Sequence, residues 1–531
     1  MTPRVTLGRF LAFGLLMLCL SAHAFDALQL RALVTGSNDE RIASLHAAVS
    51  RADPSLERLV QALLEDEVKF NAERVFIVHG GDATDAATGA KAALPEGVED
   101  VVNNNRMRRE LQAALAALKL FSPDAGLRAR AISQLKDQAG DSMLPLIEKA
   151  EGRETDPTLK ARLGLLKAGL QVQSSDKSHR LMAAQALAAS DQPATRSLLR
   201  QRLASGAETD DEVRGQLMLA LQSVESRLAW GERLGVLFTG ASLGSILLLV
   251  ALGLAITYGL MGVINMAHGE LMMIGAYATC VVQDLFRAHL PPAAFDWYLV
   301  AAVPASFFAS ALVGAVLERG VIRWLYGRPL ETLLATWGIS LMLMQAVRSM
   351  FGAQNVQVAN PSWLSGGVSV MGNLTLPYNR IAILLFAAAV LATVALLIAK
   401  TRLGLFVRGV TQNRRMAACM GVNTARVDTL AFSLGAGIAG LAGCALSQVG
   451  NVGPDLGQVY IVDSFMVVVL GGVGQLAGTV YAALGLGMLN KLLEGWAGAV
   501  LAKIMVLAFI VVFIQKRPQG LFAMKGRSAE A

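Results

Sequence analysis

Residues 235–267 read GVLFTGASLGSILLLVALGLAITYGLMGVINMA and contain no charged side chain. A helix crossing a hydrocarbon layer needs about 20 apolar residues, so this stretch supplies one span and a glycine-rich extension. Further apolar runs follow at about 271–283, 298–317, 332–347, 381–399, 429–449, 464–474, 476–490 and 498–514. They predict eight or nine crossings, and the short, glycine-broken run 464–474 is the one open to re-entry rather than crossing. The fold class is all-α, a polytopic helical membrane domain over 229–531. Small residues for close helix contact recur at Gly240-x-x-x-Gly244, Ala436-x-x-x-Gly440 and Gly474-x-x-x-Gly478, a weak signal by itself.

Composition sets limits on function. Of 531 residues 54% are hydrophobic and 16% charged, against about 25% charged in soluble domains. Residues 25–228 hold 26 Lys/Arg and 29 Asp/Glu, so the chain's net charge of +7 is carried outside that segment, chiefly by the apolar half. Positive charge beside membrane spans reads as topology. A wholly soluble enzyme and a nucleic-acid partner are excluded. Arg319, Arg323 and Arg328 form one cluster, Lys400, Arg402, Arg408, Arg414, Arg415 and Arg426 a second, and Lys516, Arg517, Lys525 and Arg527 a third. The positive-inside rule makes all three cytoplasmic. Counting back through the spans puts the start of the first one outside.

The amino terminus agrees with that orientation. Arg4 and Arg9 precede an uncharged stretch at 10–20, and Ala22-His23-Ala24 offers small residues around a larger one. This is a Sec-type signal peptide, cut after Ala24, which makes 25–228 an extracytoplasmic domain. Its texture is helical. Leu127, Ala131 and Leu135 follow Ser122-Pro123-Asp124; Leu159, Leu163, Leu166 and Leu170 follow Thr155-Asp156-Pro157; Val213, Leu217, Ala220 and Val224 follow Thr209-Asp210-Asp211. Shorter helices near 143–149 and 195–203 complete a stack of hairpins of HEAT type or an irregular bundle, for the turns give no clean period. Residues 77–105 break periodicity and read as a loop. Gly89-Ala90-Lys91-Ala92 lacks the Gly-Lys-Ser/Thr order of a phosphate loop. Cys19, Cys280, Cys419 and Cys444 form no zinc or disulfide pattern.

Several blocks carry a family resemblance. Residues 244–254 (GSILLLVALGL), Tyr258-Gly259 and 264–270 (INMAHGE) resemble the opening of permease subunits in the branched-chain amino acid and urea ABC importer family. Residues 412–423 (QNRRMAACMGVN), 468–474 (VVLGGVG) and 517–522 (RPQGLF) continue it, so the resemblance spans essentially 235–522. The long signal-bearing extension, with 94–104 (LPEGVEDVVNN), and the block 457–465 (GQVYIVDSF) are similar to the urea branch. The resemblance implies a permease for urea or a related short amide, with a branched-chain amino acid permease as the alternative and a passive urea channel as the alternative of another class. It implies that this subunit binds no cofactor itself, that ATP is used by two separate ATP-binding subunits, and that a second permease subunit, a periplasmic substrate-binding protein and membrane lipid are its partners.

Site expectations follow from these blocks. Ala417, Ala418 and Gly421 match the small positions of the ABC importer coupling motif, with Arg415 where Glu is usual and Met416 at the first Ala. The loop containing Arg414 is therefore expected to dock on the ATPase. For the substrate path the polar candidates are Asn265, His268 and Glu270 at the break between the first two spans, Gln448 and Asn451 around the end of the run 429–449, and Asp455 and Asp463 bounding an outside segment. The break is expected near the cytoplasmic face, where Glu270 either faces the path or caps the next helix. Ser245, Thr257, Asn265, Gln448 and Asn451, without a buried ion pair, suit a neutral solute better than a zwitterion. Residues 364–368 (LSGGV) imitate an ATPase signature by chance in an outside loop.

Overall fold

The computed structural model describes residues 27–522 apart from 51–53, 72, 81, 96, 139, 205–207 and 263. The proposed cleavage residues Ala22 and Ala24 lie outside the described residues. The chain divides into two compact units between Leu228 and Ala229.

In the first unit, three helices, α1 (Ala27–Val34), α2 (Asn38–Val49) and α3 (Pro54–Leu64), lead into strands β1 (Val68–Phe70), β2 (Val75–His79), β3 (Asp82–Asp85) and β4 (Glu99–Asp100). The strands form one antiparallel sheet in the order β3-β2-β1-β4. Residues 77–105 are therefore not simply a loop. Val75 joins the helices' core and Phe76 is buried too, and His79 pairs with Asp82 across a turn whose Gly80 has φ +58°. The strands are too short for alternation to show, and Gly80, just past the end of β2, begins the hairpin turn that hid them. After α4 (Asn105–Lys119) come α5 (Ala125–Gln138), α6 (Leu144–Arg153), α7 (Pro157–Gln171), α8 (Lys177–Leu187) and α9 (Pro193–Ala204). Every residue of the three anticipated stripes is buried except Leu127 and Leu170, which are half-buried.

One device recurs along these helices. Arg128 Nη1 donates to the carbonyls of Ser122 and Pro123, and the rest of its guanidinium grips Glu154 at 2.8 and 3.0 Å. In the same way Arg180 Nη1 donates to the carbonyls of Ser174 and Ser175 and its guanidinium reaches Glu208. The clamps are 52 residues apart, with three helices from one to the next.

The second unit is a helical bundle. The first span is the apolar part of α10 (Asp211–Met261), followed by α11 (His268–His289), α12 (Tyr298–Gly320), α13 (Pro329–Phe351), the hairpin β5–β6 (Gly367–Met371, Leu374–Pro377) and α14 (Tyr378–Lys400). Then come the short helices α15 (Arg402–Gln412) and α16 (Arg414–Cys419), and α17 (Thr424–Ser447), α18 (Leu456–Gly471), α19 (Leu476–Ala497) and α20 (Ala499–Lys516). Among the described residues, seven helices are long and apolar enough to cross a membrane. The charged α11 and the short α18 complete the bundle.

Glycines set its closest contacts. A Cβ on Gly275 of α11 would lie 2.2 Å from the Gly440 carbonyl oxygen of α17, and one on Gly440 would lie 2.4 Å from the Ser306 carbonyl oxygen of α12. Gly240 and Gly244 touch the α19 backbone at Met488 and Leu484, and Gly478 touches Gly471. Backbone approaches backbone only because these positions lack side chains.

Candidate functional site

Two breaks give the bundle its centre. The first span ends at Met261, but the chain then turns back, so that the ring of His268 at the start of α11 lies 3.2 Å from the Val250 carbonyl. Val250 is eleven residues before Met261, about 16 Å up the helix at 1.5 Å per residue. The break is therefore not a turn at the bundle end, which corrects the expected position of His268 and Glu270: they lie about half-way along. The second break, 448–455, leads into α18, whose Gly457 packs backbone-to-backbone on Gly269. Two helix N-termini thus meet in the interior.

α18 starts at Leu456, earlier than the apolar run suggested, and Asp463 sits half-buried inside it rather than in an outside segment. At its far end Gly472, with φ +98°, takes the tail: the Leu521 N–H donates to the Leu470 carbonyl at 2.8 Å, and Gly474 lies against Gly259. At the other end the stretch after α17 is pinned by paired hydrogen bonds between Val356 and Val452, and by Asn379 donating to the Gln448 carbonyl. Residues 448–471 consequently pass from one end of the bundle to the other, the first third irregular and the rest helical. Irregular backbone at such depth is tolerated where protein covers it.

Around the first break the polar side chains are closed in. Asn265, His268 and Glu270 are 2%, 0% and 1% exposed. Asn265 Oδ1 accepts from the Ala267 N–H at 3.0 Å, and Glu270 Oε1 accepts from Ser340 Oγ at 2.9 Å. Among the described residues, Asn265 Nδ2, His268 Nδ1 and Glu270 Oε2 have no partner. Glu270 therefore spends its paired oxygen on α13 and does not cap its own helix. Gln448 belongs to a different group: it accepts from the Tyr298 hydroxyl at 3.2 Å, and that hydroxyl also donates to the Ala359 carbonyl at 2.7 Å. Asn451 and Asp455 are exposed. The structure brings Asn265, His268 and Glu270 together beside the start of α18, and leaves Gln448 and Asn451 nearer the bundle end.

The basic loop forms a second site. Asn413 caps α16 by accepting from the Met416 N–H at 3.0 Å. Gly421, with φ +82°, closes it: its N–H donates to the Ala418 carbonyl and the Val422 N–H to the Ala417 carbonyl, a Schellman closure that favours glycine. Arg415, Met416, Ala418, Cys419, Met420 and Gly421 are exposed and Ala417 half-exposed, a small apolar knob on a basic loop.

Sequence reasoning missed the acids beneath this knob. Glu318 and Asp428 are both fully buried. Glu318 accepts from Thr429 at 2.6 Å and Tyr326 at 2.9 Å and pairs with Arg323 at 3.3 Å, and Asp428 pairs with Arg414. These are ion pairs of a buried carboxylate with a part-exposed guanidinium, and they sit at the bundle end. Asp428 could have been found as the lone acid between Lys400 and Asp455, and Glu318 as the lone acid between Tyr298 and Arg328.

A bundle of apolar helices with broken crossings and an exposed knob defines a polytopic membrane permease. The chain belongs to the family described as branched-chain amino acid transport system / permease component, whose model matches residues 236–514, more than half of the chain. It is 32% identical over 295 residues to the high-affinity branched-chain amino acid transport system permease protein LivH of Escherichia coli K12, covering 54% of this chain and 94% of that protein. It is 29% identical over 291 residues to BraD of Pseudomonas aeruginosa, likewise a permease protein of that kind, at 54% and 94% coverage. A probable LivH of Methanocaldococcus jannaschii is 25% identical over 297 residues, covering 52% and 88%. No solved structure matches the chain.

Proposed function

We propose that this chain is a permease subunit of an ATP-driven ABC importer, served by ATP-binding subunits, a second permease subunit and an extracytoplasmic binding protein. The observation that carries the proposal is the capped, exposed helix α16 with its closure at Gly421, the kind of protrusion a moving ATPase can grip. The three basic clusters support a cytoplasmic position for this end of the bundle: Tyr326 contacts Met261 and Arg414, Gly259 lies against Gly474, and the tail lies against Gly472. A reporter active only outside the cytoplasm should then work when fused after Leu228 and fail after Gln412. The reverse pattern overturns the orientation.

At the level of substrate, the relatives' names favour a branched-chain amino acid over the urea reading. The interior is compatible with them: a carboxylate with one oxygen unpaired among the described residues, beside two helix N-termini, offers complementary charge to an ammonium and a carboxylate. Urea or a short amide remains the second reading on a specific observation, since the urea-like block 94–104 lies outside the matched 236–514 and 457–465 forms the first half of α18. ATP-dependent uptake of labelled leucine and labelled urea, in cells whose only importer contains this subunit, decides between them. Uptake of neither, with the subunit present in the membrane, rejects both; uptake that persists without ATPase subunits points to a channel.

A further inference from the structure

The contacts beneath the knob form one continuous chain. Arg414 is the first residue of α16, and its guanidinium pairs with the fully buried Asp428 near the start of α17 while lying 5.2 Å from the centre of the Tyr326 ring. The Tyr326 hydroxyl donates to Glu318 at the end of α12 and lies 3.2 Å from Met261 Sδ, the last residue of the first span. Glu318 also accepts from Thr429, and Arg323 bridges the two, 3.3 Å from Glu318 and 3.1 Å from Thr429. Two carboxylates and two guanidiniums balance in charge. The carboxylates are on the spans and have no exposure, whereas the side chains of Arg414 and Arg323 are 44% and 36% exposed and come from the cytoplasmic-end loops.

From this geometry we infer that Arg414, Asp428, Tyr326 and Glu318 are positioning residues that transmit displacement of the ATPase-facing helix to three spans at once and, through Met261, to the break that carries Asn265, His268 and Glu270. The inference rests on the importer reading above. Its physical basis is stiffness: a buried carboxylate cannot leave its guanidinium without stranding a charge in low dielectric, and the guanidinium fork holds direction as well as distance. Movement of α16 therefore carries the start of α17 with it. Tyr326 adds the lateral link, since its ring takes the cation and its hydroxyl takes the second acid.

The test uses the complete importer in membrane vesicles, reading ATP hydrolysis and uptake of labelled leucine and labelled urea together. In Asp428→Asn and Tyr326→Phe, the amount taken up per ATP hydrolysed should fall at least tenfold and about threefold respectively, while ATPase subunits still co-purify. Arg414→Lys, which keeps the charge and loses the fork, should fall between Arg414→Gln and the unaltered protein. A purely structural role would lower hydrolysis and uptake together and leave their ratio unchanged, and that result overturns the inference. Gly421→Trp separates the two levels of argument. If it abolishes uptake while Asp428→Asn keeps the ratio, the relay alone is wrong; if ATPase subunits never bind the unaltered chain, the importer reading fails.

Discussion

Replacing Gly275 by alanine tests how the centre of the bundle is held. The added Cβ would lie 2.2 Å from the Gly440 oxygen and 2.4 Å from its Cα, so α11 and α17 must separate by roughly 1 Å to reach ordinary contact. That movement also stretches the links between α11 and α12: Ser306 Oγ to the Gly275 carbonyl at 2.9 Å, Ser310 Oγ to the Leu271 carbonyl at 2.8 Å, and Thr279 to Ser306 at 3.0 Å. Interhelical hydrogen bonds in membranes are worth about 0.6 kcal/mol each, and overpacking costs about 1–3 kcal/mol. The sum, about 3–5 kcal/mol, is a large share of the roughly 5–15 kcal/mol that holds a typical fold. Cys280 and Cys444 are buried, so a thiol-reactive dye reports unfolding of detergent-purified protein, with exposed Cys419 giving a constant baseline. At roughly 2–4 °C per kcal/mol, Gly275→Ala should lower the midpoint by about 6–20 °C. Gly338 and Gly485 lie in helices with nothing within 4 Å of an added Cβ, so alanine there should be neutral or slightly stabilising. Equal midpoints for Gly275→Ala and Gly485→Ala would refute backbone-to-backbone packing at the centre.

Other consequences are simpler to check. Cys419 is the exposed cysteine among the described residues, so maleimide labelling of the membrane-embedded subunit should slow at least fivefold when the ATPase subunits are present; unchanged labelling would mean that α16 is not covered. Gly421 needs a left-handed backbone and has open space around it. Asparagine, which tolerates that backbone, should therefore keep uptake within about threefold, whereas Gly421→Trp should abolish it with normal membrane levels; equal effects of the two would assign the position to folding alone. In the first unit, hydrogen bonds from Arg128 hold the Glu154 carboxyl below its usual value of 4.5. A depressed acid contributes stability that is full above its unfolded pKa and is lost as pH falls through the lower folded value. Hydrogen-exchange protection of residues 125–171 in the full chain should thus decline below about pH 4.5, with a flatter decline in Glu154→Gln; identical slopes would contradict the clamp.

What the sequence revealed and what it hid divide along a physical line. Spans were legible because burial in lipid demands long apolar runs, and the stripes of α7 and α10 because one helix face must meet a core. The knob at 414–421 was legible because its small residues and glycine are local requirements of one short helix. Depth was not legible: a break in an apolar run marks where helix stops but not how far the chain folds back, and only the His268 contact with Val250 places Asn265 and Glu270 in the interior. Asp463 was misplaced for the complementary reason, since a single acid in an apolar run looks like the run's edge while three-dimensional cover lets the helix continue through it. The ion pairs were hidden by sequence distance, Glu318 meeting Thr429 across 111 residues. Local chemistry therefore announces where the permease touches its surroundings, whereas the groups that would move a solute and couple it to ATP depend on which distant backbones glycine allows to touch.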